Sequence, residues 1–124
     1  MIAEQTMTTA EIAQRFNTLA KEGNWNQIQD ELFAENAVSI EPPGAPGLQS
    51  AEGMKAIKQK AKDFEQSVEE MHGGYSSDPL VAGNYFAVAM GLDATFKQMG
   101  RMKMDEIALY EVKDGKIVKE QFFY

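Results

Sequence analysis

The sequence predicts an α+β fold in which three helices precede and cover one face of a strongly curved antiparallel sheet. Apolar residues recur at helical spacing only before Met71, and β-branched and aromatic residues dominate after it. Asp114-Gly115 stands between two such runs and indicates a two-residue hairpin turn, because both central residues of that turn need positive φ. Helices that come before an antiparallel meander are typical of the α+β class.

Composition limits the function. The 124 residues suit one domain over 1–124, and they include no cysteine and a single histidine, His72. Disulfides, thiolate metal sites and multi-histidine metal sites are therefore excluded, and we expect no metal and no cofactor. The net charge of −7 argues against nucleic acid or an anionic membrane as a partner.

The chain from Met1 to Thr9 has neither the basic segment nor the apolar segment of a secretion signal. Apolar runs of membrane-spanning length are also missing from the sequence. We therefore expect a cytoplasmic protein.

Two helices open the chain. Thr8 and Glu11 have the spacing of a capping box, and Gly23 supplies the stop. Asn24 then begins a second, short helix. The apolar stripes are Ile12, Ala13, Phe16, Leu19 and Ala20 in the first helix, and Trp25, Ile28, Leu32 and Phe33 in the second.

A short strand is predicted over 37–41, ended by the proline-rich loop 42–47. Ser50, with Glu52 after it, is predicted to begin the longest helix. The charged remainder of that helix, Lys60 among it, has the pattern of a solvated face. Its buried stripe is predicted to be Met54, Ile57, Ala61, Phe64, Val68 and Met71.

The meander is predicted to contain strands over 72–77 and 85–97, with a bulge or bend at Gly91 and a tight turn at Met99-Gly100. Counting outward from Asp114-Gly115 pairs Leu109 with Glu120. The resulting first face carries Asp105, Ile107, Leu109, Val118, Glu120, Phe122 and Tyr124, and continues through Met90, Leu92, Ala94 and Phe96. The second face carries Met104, Glu106, Ala108, Tyr110, Ile117, Lys119, Gln121 and Phe123.

Two local patterns resemble a known superfamily. They are Leu32-Phe33-Ala34-Glu35-Asn36-Ala37-Val38 running into Glu41-Pro42, and Asp114-Gly115-Lys116-Ile117-Val118 before the last strand. With the order of elements, they resemble the nuclear-transport-factor-like, or SnoaL-like, superfamily, which includes the ketosteroid isomerases. The resemblance implies a cystatin-like α+β cone with an internal pocket between the concave sheet face and the helices. It also implies a homodimer through the convex face.

The resemblance implies a role for Glu41, whose place before Pro42 matches the general base of ketosteroid isomerases. The position of their oxyanion-hole tyrosine corresponds to Phe16, which has no hydroxyl, and no carboxylate stands over 107–109 where a second donor is expected. Each such donor contributes roughly 3–4 kcal/mol to catalysis. Steroid isomerisation itself is therefore not expected.

Other candidate residues follow from the predicted faces. Asp105 and Glu120, placed on the concave face, are either pocket acids or exposed strand-end residues. His72 is either a general acid or base, or a structural histidine. The predicted pocket lining is Phe16, Met54, Leu92, Phe122 and Tyr124.

Three functions remain open. The first is an isomerase, cyclase or dehydratase that uses Glu41 as the base on a small apolar carbonyl compound. The second is a module that binds a small apolar molecule without catalysis. The third is a dimerisation module whose interface is the convex face, with Met102, Met104, Ala108, Tyr110 and Phe123.

Overall fold

A computed structural model of the protein describes residues 6–45 and 49–124. Met1 to Gln5, and the end of the predicted proline-rich loop at Pro46 and Gly47, lie outside the described residues. The α+β prediction is confirmed. The elements are α1 Thr9–Lys21, α2 Trp25–Leu32, β1 Phe33–Ile40, β2 Ala51–Glu52, α3 Met54–Ser67, β3 Val68–Ser76, β4 Leu80–Ala82, β5 Tyr85–Phe96, β6 Gly100–Lys113 and β7 Lys116–Phe123.

The strands form one curved sheet in the order β2-β1-β7-β6-β5-β3, with β4 paired to β5. Strands β5, β6 and β7 form the predicted antiparallel meander, whereas β1 runs parallel to β7. The sheet is therefore mixed, and it stays open because the path ends at β2 and β3. None of the helices in the described ranges is long and apolar enough to cross a membrane.

Capping residues in the sequence predicted the start of α1 correctly, but they predicted the start of the long helix α3 incorrectly. The capping box of Thr8 and Glu11 is present at the start of α1. The predicted start of the long helix at Ser50 is wrong, because Ala51 and Glu52 pair with β1 instead. Gly53, with φ 82°, then turns the chain into α3. The end of the predicted stripe is also wrong, since Met71 lies in β3 and is 55% exposed.

The predicted strand register fails on both sides of β6. Asp114 and Gly115 have φ of 51° and 76°, as their turn requires, but a bulge then pairs Glu111 with Lys119 instead of Val118. The connection from β5 is a longer loop that pairs Phe96 with Gly100, not with Lys103. Both displacements are odd numbers of residues, and each odd displacement reverses which face a side chain occupies. The two displacements cancel between β5 and β7, so the side chains of these strands face as predicted relative to each other. Only on β6 do the side chains occupy the opposite face from the one predicted.

We call the side of the sheet that packs against α1 and α3 the inner face. On β6 it carries Glu106, Ala108 and Tyr110, of which the last two are 0% and 2% exposed. Asp105 and Ile107 were predicted to lie on the concave, inner face. They lie instead on the outer face, where Ile107 is 45% exposed. The inner-face placement of Glu120 and Phe122 agrees with the prediction, because Glu120 pairs with the buried Tyr110.

Burial divides the inner face into a closed part and an open part. Under α1, Phe16 packs with its ring centroid 5.4 Å from Phe86 and 4.7 Å from Tyr110. Under α3, Phe64 packs against Phe96 with centroids 5.8 Å apart. Between them the side chains are only partly buried, and we call this part the open section. It comprises Met90, Leu92, Met104, Glu106 and Phe122.

Gly91 does not form the predicted bulge against β6, because its pairing with Asp105 belongs to a continuous register. The irregularities lie in β3 instead. A Cβ on Gly91 would lie 2.4 Å from Cε1 of Tyr75 and 2.7 Å from the carbonyl oxygen of Met104. Glycine is needed here because the tyrosine ring crosses the strand where a side chain would stand.

Candidate functional site

Glu41 lies just beyond β1, and it is buried, with 8% of its surface exposed. The strand ends here because Pro42 has no N–H to donate to a sheet. The Glu41 N–H donates a 3.0 Å hydrogen bond to Oγ of Ser50. This bond ties the backbone of Glu41 to the segment that precedes β2, and the Glu41 side chain lies near enough to Glu106 of the open section for its charge to act there.

Both carboxylate oxygens of Glu41 have a partner. Tyr124 donates a 2.7 Å hydrogen bond from its hydroxyl to Oε1, and the ammonium group of Lys60 forms an ion pair with Oε2. The side chains of Lys60 and Glu41 are 17% and 5% exposed. Glu41 therefore meets a cation from α3 and a phenol from beyond β7 at the same point.

The prediction that Lys60 lies on a solvated helix face is wrong. Lys60 stands three residues after Ile57 and four before Phe64, and both spacings place it on the buried side of α3. The apolar periodicity of α3 therefore indicated that Lys60 is buried, but a charged side chain is normally assigned to the solvated face of a helix.

A hydrogen-bond chain leads from Lys60 into the protein. Nζ of Lys60 donates to Oγ of Ser39 over 2.8 Å, and that hydroxyl donates to Oε1 of Glu120, also over 2.8 Å. Burial raises the pKa of Glu120, while the bond from Ser39 and the charge of Lys60 lower it. The pKa of Tyr110, which also bonds Glu120, is raised by burial and then by the Glu120 charge.

Glu106 is the acid that sequence reasoning missed. It lies in the open section on β6, where the prediction had assigned it to the convex face. Burial, with the negative charges of Glu41 and Glu120, raises the pKa of Glu106 to about 7, against an opposing effect of Lys60. Near neutral pH this carboxyl group therefore exists in both protonation states, whereas Glu41 is ion-paired with Lys60.

Two predicted candidates lie away from Glu41. Asp105, on the outer face, accepts a 2.6 Å hydrogen bond from the hydroxyl of Tyr75. His72 is also exposed, with Nε2 2.7 Å from Oγ1 of Thr95. Glu120, by contrast, does join the cluster around Glu41 through Ser39. The reversed strand explains the placement of Asp105, and the exposed edge strand β3 explains that of His72.

The predicted lining residues also separate into two groups. Phe16 and Met54 are 1% and 7% exposed and belong to the closed core. Leu92 and Phe122 lie in the open section, and Tyr124 contacts Glu41 beside it. The two groups differ because α1 and the start of α3 cover one part of the inner face and leave the other part accessible.

Two surface depressions lie elsewhere. One, of about 590 Å³, runs between the start of α1 and the β6–β7 turn; the other, of about 360 Å³, is on the outer face near Tyr85 and Leu109. Neither includes Glu41, so the internal pocket remains a prediction. Within residues 6–45 and 49–124, no three His, Cys, Asp or Glu side chains are grouped so as to hold a metal ion.

Comparison with known proteins adds family information. The family model of the SnoaL-like domain matches residues 7–124. A crystal structure from Mesorhizobium loti, described as a candidate SnoaL-like polyketide cyclase, shares 38% identity with a TM-score of 0.89. The match covers 95% of this chain and all 100% of that one. No curated protein matches this sequence.

More distant structures show the same fold. A Xanthomonas campestris protein with a cystatin-like fold is 17% identical with a TM-score of 0.76, and the match covers 94% of this chain and 90% of that one. A Catenulispora acidiphila protein with a ketosteroid isomerase-like fold, in complex with trimethylamine, is 20% identical with a TM-score of 0.67. That match covers 94% of this chain and 87% of the other.

Proposed function

The chain belongs to the family of SnoaL-like domains, and we propose that it is a small-molecule pocket protein that catalyses proton transfer on a small apolar carbonyl compound. The reaction is of the kind that isomerases, cyclases and dehydratases perform. The candidate polyketide cyclase of M. loti supports this reaction class, because its whole length matches the chain.

The observation that carries the proposal is a buried carboxylate, Glu41, whose charge helps to raise the pKa of a second acid, Glu106. Glu41 is ion-paired with Lys60, while the pKa of Glu106 is raised to about 7. Two carboxyl groups in such different environments, one ion-paired and one without a cationic partner of its own in the part of the chain that the structure describes, can divide the roles of base and acid between them. A pKa near the working pH is also the best value for a group that must both give and accept a proton.

The proposed reaction assigns one role to each group. Glu41 accepts a proton from the carbon next to the substrate carbonyl, and the C–H electron pair moves into the enolate. Protonated Glu106 donates a hydrogen bond, or its proton, to the oxygen where negative charge develops. Leu92 and Phe122 of the open section supply apolar contact for the rest of the molecule.

Hydrogen–deuterium exchange provides a test that does not need the natural product. The protein is incubated in D₂O with a panel of small cyclic ketones and diketones, and loss of the α-proton signal is followed by NMR. We expect catalysed exchange that Glu41→Gln reduces by roughly 100-fold or more, a typical effect of removing a general base. Glu106→Gln should give a smaller loss, because the amide still donates a hydrogen bond.

Glu35→Gln is the matched control, because Glu35 is exposed and lies on β1, the strand that Glu41 directly follows. This variant should exchange protons at the rate of the unmodified protein. Exchange that survives Glu41→Gln in a folded protein would reject the assignment of the base.

The alternative function, binding without catalysis, has one observation in its favour. Both oxygens of Glu41 are already engaged by Tyr124 and Lys60, so the carboxylate has to exchange a partner before it can act as a base. A binding module would show a ligand-dependent rise in melting temperature that Glu41→Gln leaves unchanged, with no α-proton exchange.

The proposal includes a homodimer through the outer face, with a corrected set of residues. Met102, Met104, Ala108 and Tyr110, predicted for this interface, belong to the inner-facing register of β6, and only Phe123 remains. Ile107 and Phe123 are exposed by 45% and 48%, and they neighbour each other across β6 and β7. Farther along the same two strands, beyond Leu109 and Gln121, Glu111 and Lys119 are paired in register, so a two-fold axis can bring opposite charges together.

A further inference from the structure

The ammonium group of Lys60 contacts three side chains, from β1, β7 and the segment just after β1. It pairs with Glu41, donates to Ser39, and lies 5.2 Å from the ring centroid of Phe122. An ammonium group has three N–H donors. Its partners among the described residues account for two of them, so one donor remains for a ligand in the open section beside Phe122.

A purely structural explanation accounts poorly for this arrangement. Removing two charges from water costs free energy that their attraction often only balances, and apolar replacements of buried ion pairs are frequently as stable. The Lys60–Glu41 pair has side-chain exposures of only 17% and 5%. By contrast, Lys58 on the same helix pairs with Asp30, and those side chains are 46% and 61% exposed.

Neutralising Glu41 would leave Lys60 without its charge partner. When Glu41 takes a proton from the substrate carbon, the negative charge leaves its carboxylate and appears on the carbonyl oxygen as an enolate. The positive charge of Lys60 does not move, and its favourable partner becomes the enolate oxygen. The total charge of the site is unchanged in this step, because one anion next to the ammonium group replaces another.

We infer that Lys60 is a catalytic residue of this reaction, whose ammonium group contacts and stabilises the enolate oxygen. The inference rests on the proposed proton transfer and goes beyond it, because Glu41 can act as a base with or without this help. It also adds a second donor to the oxyanion beside protonated Glu106, whereas Phe16 lies in the closed core and has no hydroxyl. The preferred substrates are then neutral carbonyl compounds whose enolate oxygen reaches Lys60 in the middle of α3.

Ser39 and Glu120 act as positioning residues for Lys60. An ammonium group can only donate, so the hydroxyl of Ser39 must accept from Lys60 and can donate only onward to Glu120. Ser39 is 0% exposed, which keeps water from competing for either bond. This hydrogen-bond chain fixes Nζ against β1, and the ring centroid of Phe122 lies 5.2 Å from Nζ.

The test uses 4-nitrophenol as a probe, because its phenolate resembles an enolate and is coloured, whereas its phenol form is not. The probe is mixed with the folded protein at a fixed pH, and visible absorbance gives the ratio of bound phenolate to bound phenol. We expect the unmodified protein to bind the phenolate preferentially and Lys60→Met to lower that ratio by about tenfold or more, a loss of about 1.4 kcal/mol. Lys60→Arg should retain most of the preference, because it keeps the charge.

Lys58→Met is the matched control, since it removes the same charge from the same helix at an exposed ion pair. It should leave the phenolate ratio and the exchange rate unchanged. In the exchange assay, Lys60→Met should lower kcat by roughly 100–1,000-fold with little change in KM, as the loss of one oxyanion partner does.

The outcomes separate this inference from the proposed function. If Glu41→Gln abolishes exchange while Lys60→Met leaves both exchange and the phenolate ratio unchanged, the base stands and the role of Lys60 is overturned. If the unmodified protein shows no phenolate preference, the role of Lys60 is likewise overturned. A phenolate preference that depends on Lys60, in a protein with no exchange activity, upholds the oxyanion contact and rejects the proposed catalysis. Should Lys60→Met fail to fold, Lys60→Arg and Lys60→Gln provide the same comparison.

Discussion

The hydroxyl of Tyr124 donates a 2.7 Å hydrogen bond to Oε1 of Glu41, which joins the end of β7 to the end of β1. Burial raises the pKa of Tyr124, and the bond to Glu41 raises it further. Tyr124 therefore remains a neutral donor through the ordinary range of assay pH. It orients the carboxylate without adding a negative charge to a site that already holds three glutamates.

Tyr124→Phe is predicted to slow α-proton exchange by about tenfold while costing only about 0.5–1.5 kcal/mol of stability, the net value of one hydrogen bond. The rate falls because Oε1 of Glu41 loses the donor that fixes its orientation. Tyr85→Phe is the control, since Tyr85 is also 45% exposed but lies on the outer face. Equal exchange rates for the two variants, measured by NMR, would contradict an orienting role for Tyr124.

Glu106 is predicted to make stability fall as pH rises through neutrality. Its pKa is about 7 in the folded protein and 4.5 as the reference for an unfolded chain, so the folded state binds the proton more tightly. That contribution to stability is complete below the unfolded value and is lost as pH rises through the folded value. Because Glu106 is partly exposed, solvent screening reduces the effect to about 1–2 kcal/mol.

Urea denaturation of Glu106→Gln measures this contribution, because glutamine does not titrate. Relative to the unmodified protein, the variant should gain about 1–2 kcal/mol between about pH 5 and pH 8. Some slope should persist, since burial also raises the pKa of Glu120. Glu111→Gln, on the outer-facing register of the same strand, should show no such gain. Parallel pH profiles for Glu106→Gln and the unmodified protein would reject the raised pKa.

The sequence allowed the fold, the turn at Asp114-Gly115 and the position of Glu41 to be predicted, because each depends on local chemistry. Capping, positive φ and a proline after a strand act within a few residues. The ion pair between Glu41 and Lys60, by contrast, depends on how α3 packs against the end of β1. Lys60 had the spacing of a buried residue, but no local rule says which lysine finds a carboxylate on another element.

The choice between Asp105 and Glu106 lay beyond local reasoning for a different reason. A bulge beside Glu111 adds one residue to one strand, and neither its presence nor its place is fixed by the alternation of apolar residues. Both faces of β6 are largely apolar, so the alternation fits either register equally well. Because the sequence does not reveal the one extra residue of this bulge, the prediction placed Asp105 on the inner face, where Glu106 in fact lies.

The corrected register changes which substitution should disrupt the proposed dimer. Phe123→Asp places a charge on the outer face and is predicted to convert a dimer to a folded monomer in sedimentation experiments. Tyr110→Asp should instead unfold the protein, because Tyr110 is 2% exposed and stacks on Phe86 with centroids 4.9 Å apart. Met99→Asp is the control, in an exposed loop. A monomeric unmodified protein would reject the dimer.

Gly91→Ala is predicted to lower stability by about 1–3 kcal/mol, the usual cost of overpacking. The new Cβ would meet the Tyr75 ring at 2.4 Å and the Met104 carbonyl oxygen at 2.7 Å, and the second atom is backbone that cannot rotate away. Gly73→Ala, on the neighbouring strand, meets nothing within 4 Å, so it should be neutral or gain the roughly 0.4–1 kcal/mol that alanine gives by restricting the unfolded chain. Urea denaturation compares the two variants. Displacement of Tyr75 would also break its bond to Asp105, so a Gly91→Ala protein as stable as Gly73→Ala would contradict the packing of the ring across β5.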